Sequence, residues 1–265
     1  MLHVLRALPD MFRVSVAETV AYRAEFVIWM LSATLPLIML ALWSSVASEG
    51  SVAGLTQDDV ARYYAVTMVV RQFTSMWLVW SFGYEVRTGA LSSRLLKPMN
   101  PLWRSAVEFL TAIPLRGAVL LPVLAAVVWW RPSLLAWPEP GALLLAVPAL
   151  VLAWLLHFVV QVCFALLSFW IDRSEGLFMV YFAAFAFLSG YVAPLALFPA
   201  WSRPLLDALP FPAMHAVPTE LMAGMRTPAD ALPELLVGTA WLLGLTGLAL
   251  WLWRAGLRRY GAFGG

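Results

Sequence analysis

Polar side chains recur at helical spacing inside two long apolar segments of this sequence. Residues three to four positions apart share one face of a helix. Polar groups at membrane depth are costly, and they commonly mark a pathway or a binding site. These residues therefore predict a polar translocation path through apolar helices. They are Tyr64, Thr67, Arg71 and Ser75 in residues 61–83, and His157, Gln161 and Ser168 in residues 141–171.

Two arginines, Arg71 and Arg116, lie within apolar segments that carry no Asp or Glu at comparable depth, since Glu108 is near the inner end of its segment. Two interpretations remain open. In the first, both arginines face the path and bind an anionic or amphiphilic solute. In the second, they extend toward the interface or bind backbone carbonyls at helix breaks such as the one expected at Pro114.

Catalytic and metal-binding motifs are not found. A phosphate-binding GxxxxGK loop needs a lysine after glycine, and the only lysine, Lys97, follows Leu96. We therefore expect no ATP site here and no cofactor on this chain. His3, His157 and His215 are far apart and there is one cysteine, Cys163, so we expect no metal site and no disulfide.

An intramembrane serine protease is an alternative to consider, because Ser189 and His157 both lie in apolar segments. The usual serine setting in such enzymes is GxSG, whereas this sequence reads Phe187-Leu188-Ser189-Gly190 and lacks the first glycine. The pattern favours a helix break or a point of close helix approach.

Composition sets the class of protein. Of 265 residues, 62% are hydrophobic and 12% are charged, and the mean hydropathy is +0.82. Soluble domains carry about 25% charged residues, so the composition excludes a soluble globular domain. The net charge of +2 also argues against a nucleic-acid-binding surface. We expect an all-α membrane protein that contacts lipid and no nucleic acid.

The apolar segments predict six transmembrane helices and one interfacial helix. Each apolar segment can cover the ~30 Å hydrocarbon core. Residues 1–23 have an apolar face, including Leu5 and Phe12, and a charged face, including Arg6 and Arg13, which predicts an interfacial helix. Residues 24–265 then form one transmembrane domain. Its predicted spans are residues 25–47, 61–83, 105–130, 141–171, 177–199 and 234–253.

The distribution of Arg and Lys predicts the orientation. With the N-terminus inside, eleven of these residues fall in cytoplasmic segments and four outside. The positive-inside rule therefore predicts a multi-pass protein with both termini in the cytoplasm. The inside connection 84–104 is strongly basic. The outside connection 199–233 is rich in proline and too apolar for a free linker.

The inside loop resembles a motif of a known family. It reads Glu85-Val86-Arg87-Thr88-Gly89-Ala90-Leu91, followed by Leu95-Leu96-Lys97-Pro98-Met99-Asn100-Pro101-Leu102. This is similar to the "E-I-R-x-G-x-L … L-L-R-P-L-x-P-L" loop of six-span ABC-2-type (type V) exporter permeases. A second similarity begins at Leu188-Ser189-Gly190 and Pro194 and continues through Phe198-Pro199-Ala200-Trp201. It matches the family's break in the fifth span, at Ser189, Gly190 and Pro194, and its outside helical hairpin, here 199–233.

The resemblance implies a function as the membrane subunit of an ATP-driven exporter. Residues 84–100 would form the coupling helix that docks on the ATPase, through Glu85, Arg87, Gly89, Leu91, Leu95 and Pro98. The candidate path would comprise Thr67, Arg71, Ser75, Arg116, His157 and Gln161. The resemblance further implies two ABC ATPase subunits carrying ATP and Mg, a second permease chain (identical or related), and the bacterial inner membrane. A secondary transporter that works without an ATPase is the main alternative.

Overall fold

The computed structural model describes residues 35–48, 50–51, 53–130 and 138–260. Within these ranges the chain forms eleven α-helices, three short 3-10 turns and no strand. The 3-10 turns are Leu167–Phe169, Leu195–Leu197 and Ala200–Ser202. The helices are α1 (Leu35–Ser48), α2 (Gln57–Thr74), α3 (Leu78–Arg87), α4 (Ala90–Leu95), α5 (Pro101–Trp130), α6 (Pro140–Leu166), α7 (Ser174–Leu188), α8 (Arg203–Ala208), α9 (Phe211–Met214), α10 (Ala216–Met222) and α11 (Pro228–Arg259).

Three of the described helices are long and apolar enough to cross a bilayer. They are α5 over Pro101–Ala126, α6 extended through Phe169, and α11. They coincide with the predicted spans 105–130, 141–171 and 234–253. Helices α1 and α7 are also apolar but shorter. The interfacial helix predicted for residues 1–23, and the first part of the span predicted for 25–47, lie outside the described residues.

The second predicted span, 61–83, is not one continuous helix. Helix α2 ends at Thr74, Ser75 takes an extended conformation (ψ 130°), and α3 begins at Leu78. The sequence did not reveal this break because residues 71–82 contain neither proline nor glycine, the usual signals of an interruption. The interruption leaves backbone carbonyls without partners in their own helix, and side chains from other helices bind them instead.

The fifth predicted span, 177–199, is also shorter than expected. Helix α7 has 15 residues, which is about 22 Å and less than the hydrocarbon core. It stops because Gly190 has a left-handed backbone (φ +89°). A Cβ at this position would lie 2.6 Å from the Tyr63 hydroxyl oxygen, and that hydroxyl donates a 2.7 Å hydrogen bond to the Gly190 carbonyl.

Helix α6 lies at the centre of the described fold and contacts α2, α3, α7, α9, α10 and α11. Alanines at helical spacing form its buried face and pack against Val217 and Leu221 of α10 and Ala231 of α11. Small side chains permit this close helix approach. The alanines are Ala142, Ala146, Ala149 and Ala153, each at most 4% exposed.

The connection 199–233 forms three short helices, α8, α9 and α10, and not one continuous helix. Pro204 and Pro212 each lie in the first turn of a helix, where a missing N–H costs little. Helix α10 packs against α6, α2 and α11. The connection is therefore part of the packed structure, as its apolar composition indicates.

Candidate functional site

The break between α2 and α3 is stabilised by side chains from α5 and α6. Arg116 Nη1 donates hydrogen bonds to the carbonyl oxygens of Ser75 (2.5 Å) and Gln72 (3.3 Å). Gln161 Nε2 donates to the Met76 carbonyl at 2.8 Å, and Gln161 Oε1 accepts from the Val79 amide at 3.4 Å. Irregular backbone at membrane depth persists only where such partners exist. Arg116 and Gln161 therefore have a structural role.

Arg71 has a different environment. Its guanidinium stacks on the rings of Tyr191, 4.9 Å from the centroid, and Phe182, 5.8 Å from the centroid. Among the described residues it has neither an ion pair nor a hydrogen bond. A stacked guanidinium still has its in-plane N–H donors available. Of Arg71 and Arg116, Arg71 is the one whose guanidinium makes no hydrogen bond to another described residue.

Arg71 lines a cavity of ≈ 190 Å³ between α2, α3, α6 and α7. Phe, Trp and Tyr side chains form about half of its lining, and Trp80 and Phe178 meet edge to face with centroids 5.3 Å apart. Among the described residues, no carboxylate lines it. The lining includes the candidate path residues Arg71, Ser75, His157 and Gln161. Thr67 is fully buried, and neither Thr67 nor Arg116 is among the lining residues.

His157, one of the lining residues, has a buried nitrogen without a partner in the described structure. Its Nδ1 lies 2.9 Å from the Ala153 carbonyl oxygen, which can only accept, so Nδ1 carries the hydrogen. In the neutral ring Nε2 is then an acceptor. His157 is 7% exposed, and Nε2 has no hydrogen-bond partner in the described structure.

The geometry does not support a serine protease. Nucleophilic catalysis requires a base within hydrogen-bond reach of the hydroxyl. The Ser189 hydroxyl is buried without a hydrogen-bond partner, while the His157 Nδ1 is bonded to Ala153. Ser189 lies at the end of α7, where the chain turns at Gly190.

The inside loop is a helix–turn–helix formed by α3 and α4. Gly89 joins the two helices in a left-handed conformation (φ +74°), which glycine adopts at little cost. Leu91 is fully buried beside Val86 and Leu166, and Leu95 packs against the same cluster. Two leucines of the predicted coupling set thus anchor the loop to the protein core.

The charged residues of this loop make ion pairs within the chain. Glu85 Oε1 lies 2.9 Å from Arg94 Nη1, which joins α3 to α4. Burial raises the pKa of the Glu85 carboxyl, and the Arg94 charge opposes that rise. Arg87 Nη1 lies 2.6 Å from Glu175 Oε1 and donates to the Asp172 carbonyl at 3.0 Å. Arg87 therefore ties the loop to the start of α7.

The surface of the loop is apolar and basic. Leu96 is 88% exposed, and the predicted Pro98 is exposed beside it, as is Lys97. Leu96 belongs to the motif that carries the resemblance, and its exposure is a finding of the structure. The pairing of Arg87 with Glu175 spans 88 positions, and local spacing gives no indication of it.

A second ion cluster lies on the outside connection. Arg226 Nε is 3.0 Å from Glu220 Oε2, and the same guanidinium makes a bidentate contact with Glu234. Burial raises the pKa of Glu220 to about 7, opposed by the Arg226 charge. The cluster links α10 to the beginning of α11. Sequence reasoning did not identify it.

These features define an all-helical, multi-pass membrane protein with a largely apolar cavity at a broken helix. The chain belongs to the ABC-2 transporter family: the family described as "ABC-2 family transporter protein" matches residues 28–264. This confirms the family that the sequence resemblance indicated. Neither the comparison with curated proteins nor that with solved structures gave a significant match.

Proposed function

We propose that this chain is the membrane-spanning permease subunit of an ATP-driven exporter. ATP and Mg would bind to two separate ATPase subunits, and a second permease chain, identical or related, would complete the pathway. The proposal is supported by membership of the ABC-2 family and by the construction of the inside loop. Both termini would lie in the cytoplasm, and the membrane would be the bacterial inner membrane.

One observation gives the main support for the coupling assignment. The face of the loop that contacts the rest of the protein is held by buried and paired side chains, and the tip of the loop exposes an apolar residue. Leu91 is buried, and the pairs Glu85–Arg94 and Arg87–Glu175 hold α3, α4 and α7 together. A loop held in this way moves as a rigid body when a partner pushes on it. Leu96, 88% exposed, supplies a contact for that partner.

The fold connects the loop to the cavity over a short distance. Helix α3 has ten residues. Trp77, directly before it, and Trp80, in its first turn, line the cavity. Its last residue, Arg87, is held by the loop before α7. A displacement of the loop would therefore reach the cavity wall through one helix. No Asp or Glu is found in the part of the lining that the structure describes, which disfavours a proton-driven secondary transporter.

The test uses two leucines on opposite sides of the membrane. The tagged chain is purified from host membranes, and the ATPase recovered with it is identified and its turnover measured in nanodiscs. Leu96→Asp is expected to reduce ATPase recovery at least about tenfold, because a charge replaces an apolar contact. The matched control is Leu205→Asp, also at an exposed leucine (55%), but on the outside connection. Equal recovery with Leu96→Asp and wild type would overturn the assignment, as would recovery of no ATPase.

A further inference from the structure

We propose that the cavity between α2, α3, α6 and α7 binds amphiphiles that carry one acidic head group on an aromatic or alkyl body. Arg71 would bind the head group, and the aromatic walls would bind the body. This inference rests on the proposed function, because it names the substrate class of the transport path.

The charge of the cavity selects the head group. Arg71 is the only Arg or Lys in the described lining, which contains no Asp or Glu. Arg116, the other intramembrane arginine, is already bonded to two carbonyl oxygens. The Arg71 guanidinium carbon lies over the rings of Tyr191 and Phe182, and the guanidinium has no hydrogen-bond acceptor among the described residues. That arrangement suits a carboxylate or a phosphate oxygen pair.

His157 gives a second, independent indication of a ligand. His157 is among the lining residues, and its Nε2 is buried without a partner in the described structure. A polar group left in this way costs free energy unless something binds it. With the hydrogen on Nδ1, Nε2 accepts a hydrogen bond. A hydroxyl on the head group of the ligand would supply the donor. Gln161 does not compete for this role, because both of its polar atoms are bonded at the helix break.

The size and the aromatic lining of the cavity indicate how large and how apolar the body of the ligand would be. Its ≈ 190 Å³ exceeds the ~150 Å³ of an apolar cavity that binds benzene, so one ring with a small head group fits. Trp80, Phe178 and Phe185 offer faces and edges for stacking. Trp77 and Met179 in the lining are 44% and 53% exposed. The cavity is therefore open at that side, and a longer body can extend outward between α3 and α7.

The test measures binding of a small aryl acid and its neutral isostere. The full chain is placed in phosphatidylcholine nanodiscs, and binding of para-trifluoromethylbenzoate and para-trifluoromethylbenzamide is followed by fluorine NMR, with empty nanodiscs as background. We expect the benzoate to bind at least about tenfold more tightly than the benzamide. Arg71→Gln should weaken benzoate binding by about ten- to hundredfold, the loss typical of a charge-assisted hydrogen bond, and should leave benzamide binding unchanged.

The control variant is Arg62→Gln. Arg62 lies on the same helix, α2, pairs with Asp59 and does not line the cavity, so benzoate binding should persist. Arg71→Lys keeps the charge and should retain more affinity than Arg71→Gln. If Arg71→Gln does not fold, the benzoate-to-benzamide ratio of wild type and the Arg71→Lys variant decide the question. Equal binding of the two probes, or equal loss with Arg62→Gln, overturns the proposal.

A further arm identifies the source of the acidic amphiphile. Nanodiscs containing phosphatidic acid are compared with phosphatidylcholine nanodiscs in the same benzoate assay. If phosphatidic acid displaces the benzoate from wild type, the site accepts membrane lipid; if it does not, the site is selective for free aryl acids. Both results support an acidic head group. Because this assay contains no ATPase, its failure would leave the coupling assignment standing, and loss of ATPase recovery would leave the ligand site standing.

Discussion

The guanidinium of Arg116 donates a 2.5 Å hydrogen bond to the carbonyl oxygen of Ser75, across 41 positions of sequence. This contact joins α5 to the point where α2 stops. Arg116 has no acidic residue at comparable depth in its own apolar segment. It stabilises the break between α2 and α3 by binding a backbone carbonyl there. The same break accepts a hydrogen bond from Gln161.

Replacing Arg116 should destabilise the fold through this break. Arg116→Met leaves the Ser75 and Gln72 carbonyls without a donor, and we expect a loss of about 1–3 kcal/mol in the free energy of unfolding. Thermal unfolding of the purified chain in detergent, followed by tryptophan fluorescence, measures it. Arg71→Met is the matched variant: it removes only stacking contacts, with an expected loss of about 0.5–1 kcal/mol. A larger loss from Arg71→Met than from Arg116→Met would contradict the structural role of Arg116.

The Glu85–Arg94 pair should set how well ATP turnover is linked to transport. Glu85→Gln removes one charge of a largely buried pair, and Arg94→Gln removes the other. We expect each to lower substrate-stimulated ATP turnover several-fold with little change in basal turnover, because α3 and α4 no longer move together. The double variant should be no worse than either single one, since both break the same contact. Additive losses in this cycle would show that the two residues act separately.

The pH dependence of stability should contain a contribution from Glu220. Burial raises its pKa in the folded state to about 7, above the unfolded value near 4.3. The protonated carboxyl therefore stabilises the fold fully below about pH 4, and this contribution is lost as the pH rises toward 7. Glu220→Gln stays neutral at every pH. The melting temperature of wild type minus that of Glu220→Gln should fall over this range and then level off. A flat difference would mean that Glu220 is not shifted.

Two glycines on α11 should respond differently to the same substitution. A Cβ at Gly256 would overlap the Phe169 ring, whereas no described atom lies within 4 Å of a Cβ at Gly244. Gly256→Ala should cost about 1–3 kcal/mol by overpacking. Gly244→Ala should be neutral or stabilise the helix by up to ~1 kcal/mol. Melting temperatures of the two variants provide the comparison, and equal values would argue against close packing of α11 on Phe169.

Sequence reasoning identified the long helices and the family, because continuous hydropathy and a local motif carry that information. It did not identify the break at 75–77, because no proline or glycine lies in residues 71–82. It left open whether Arg71 and Arg116 face the path, or instead extend toward the interface or bind backbone carbonyls. The answer depends on which groups of other helices lie opposite each guanidinium. Arg116 faces backbone oxygens, and Arg71 faces Tyr191 and Phe182. Contacts over such sequence distances depend on how helices pack, and spacing along one helix does not encode them.

The interrupted helix also has a mechanical consequence. Successive turns of a continuous helix resist bending because each carbonyl is bonded to the amide four residues later. Between Thr74 and Leu78 this series of backbone hydrogen bonds is interrupted. The side chains of Arg116 and Gln161 bind the carbonyl oxygens of Ser75 and Met76 instead. Helix α3, ten residues and about 15 Å long, would be free to change its angle to α2 if these two side chains rotated. Trp80, which lines the cavity, would move with it.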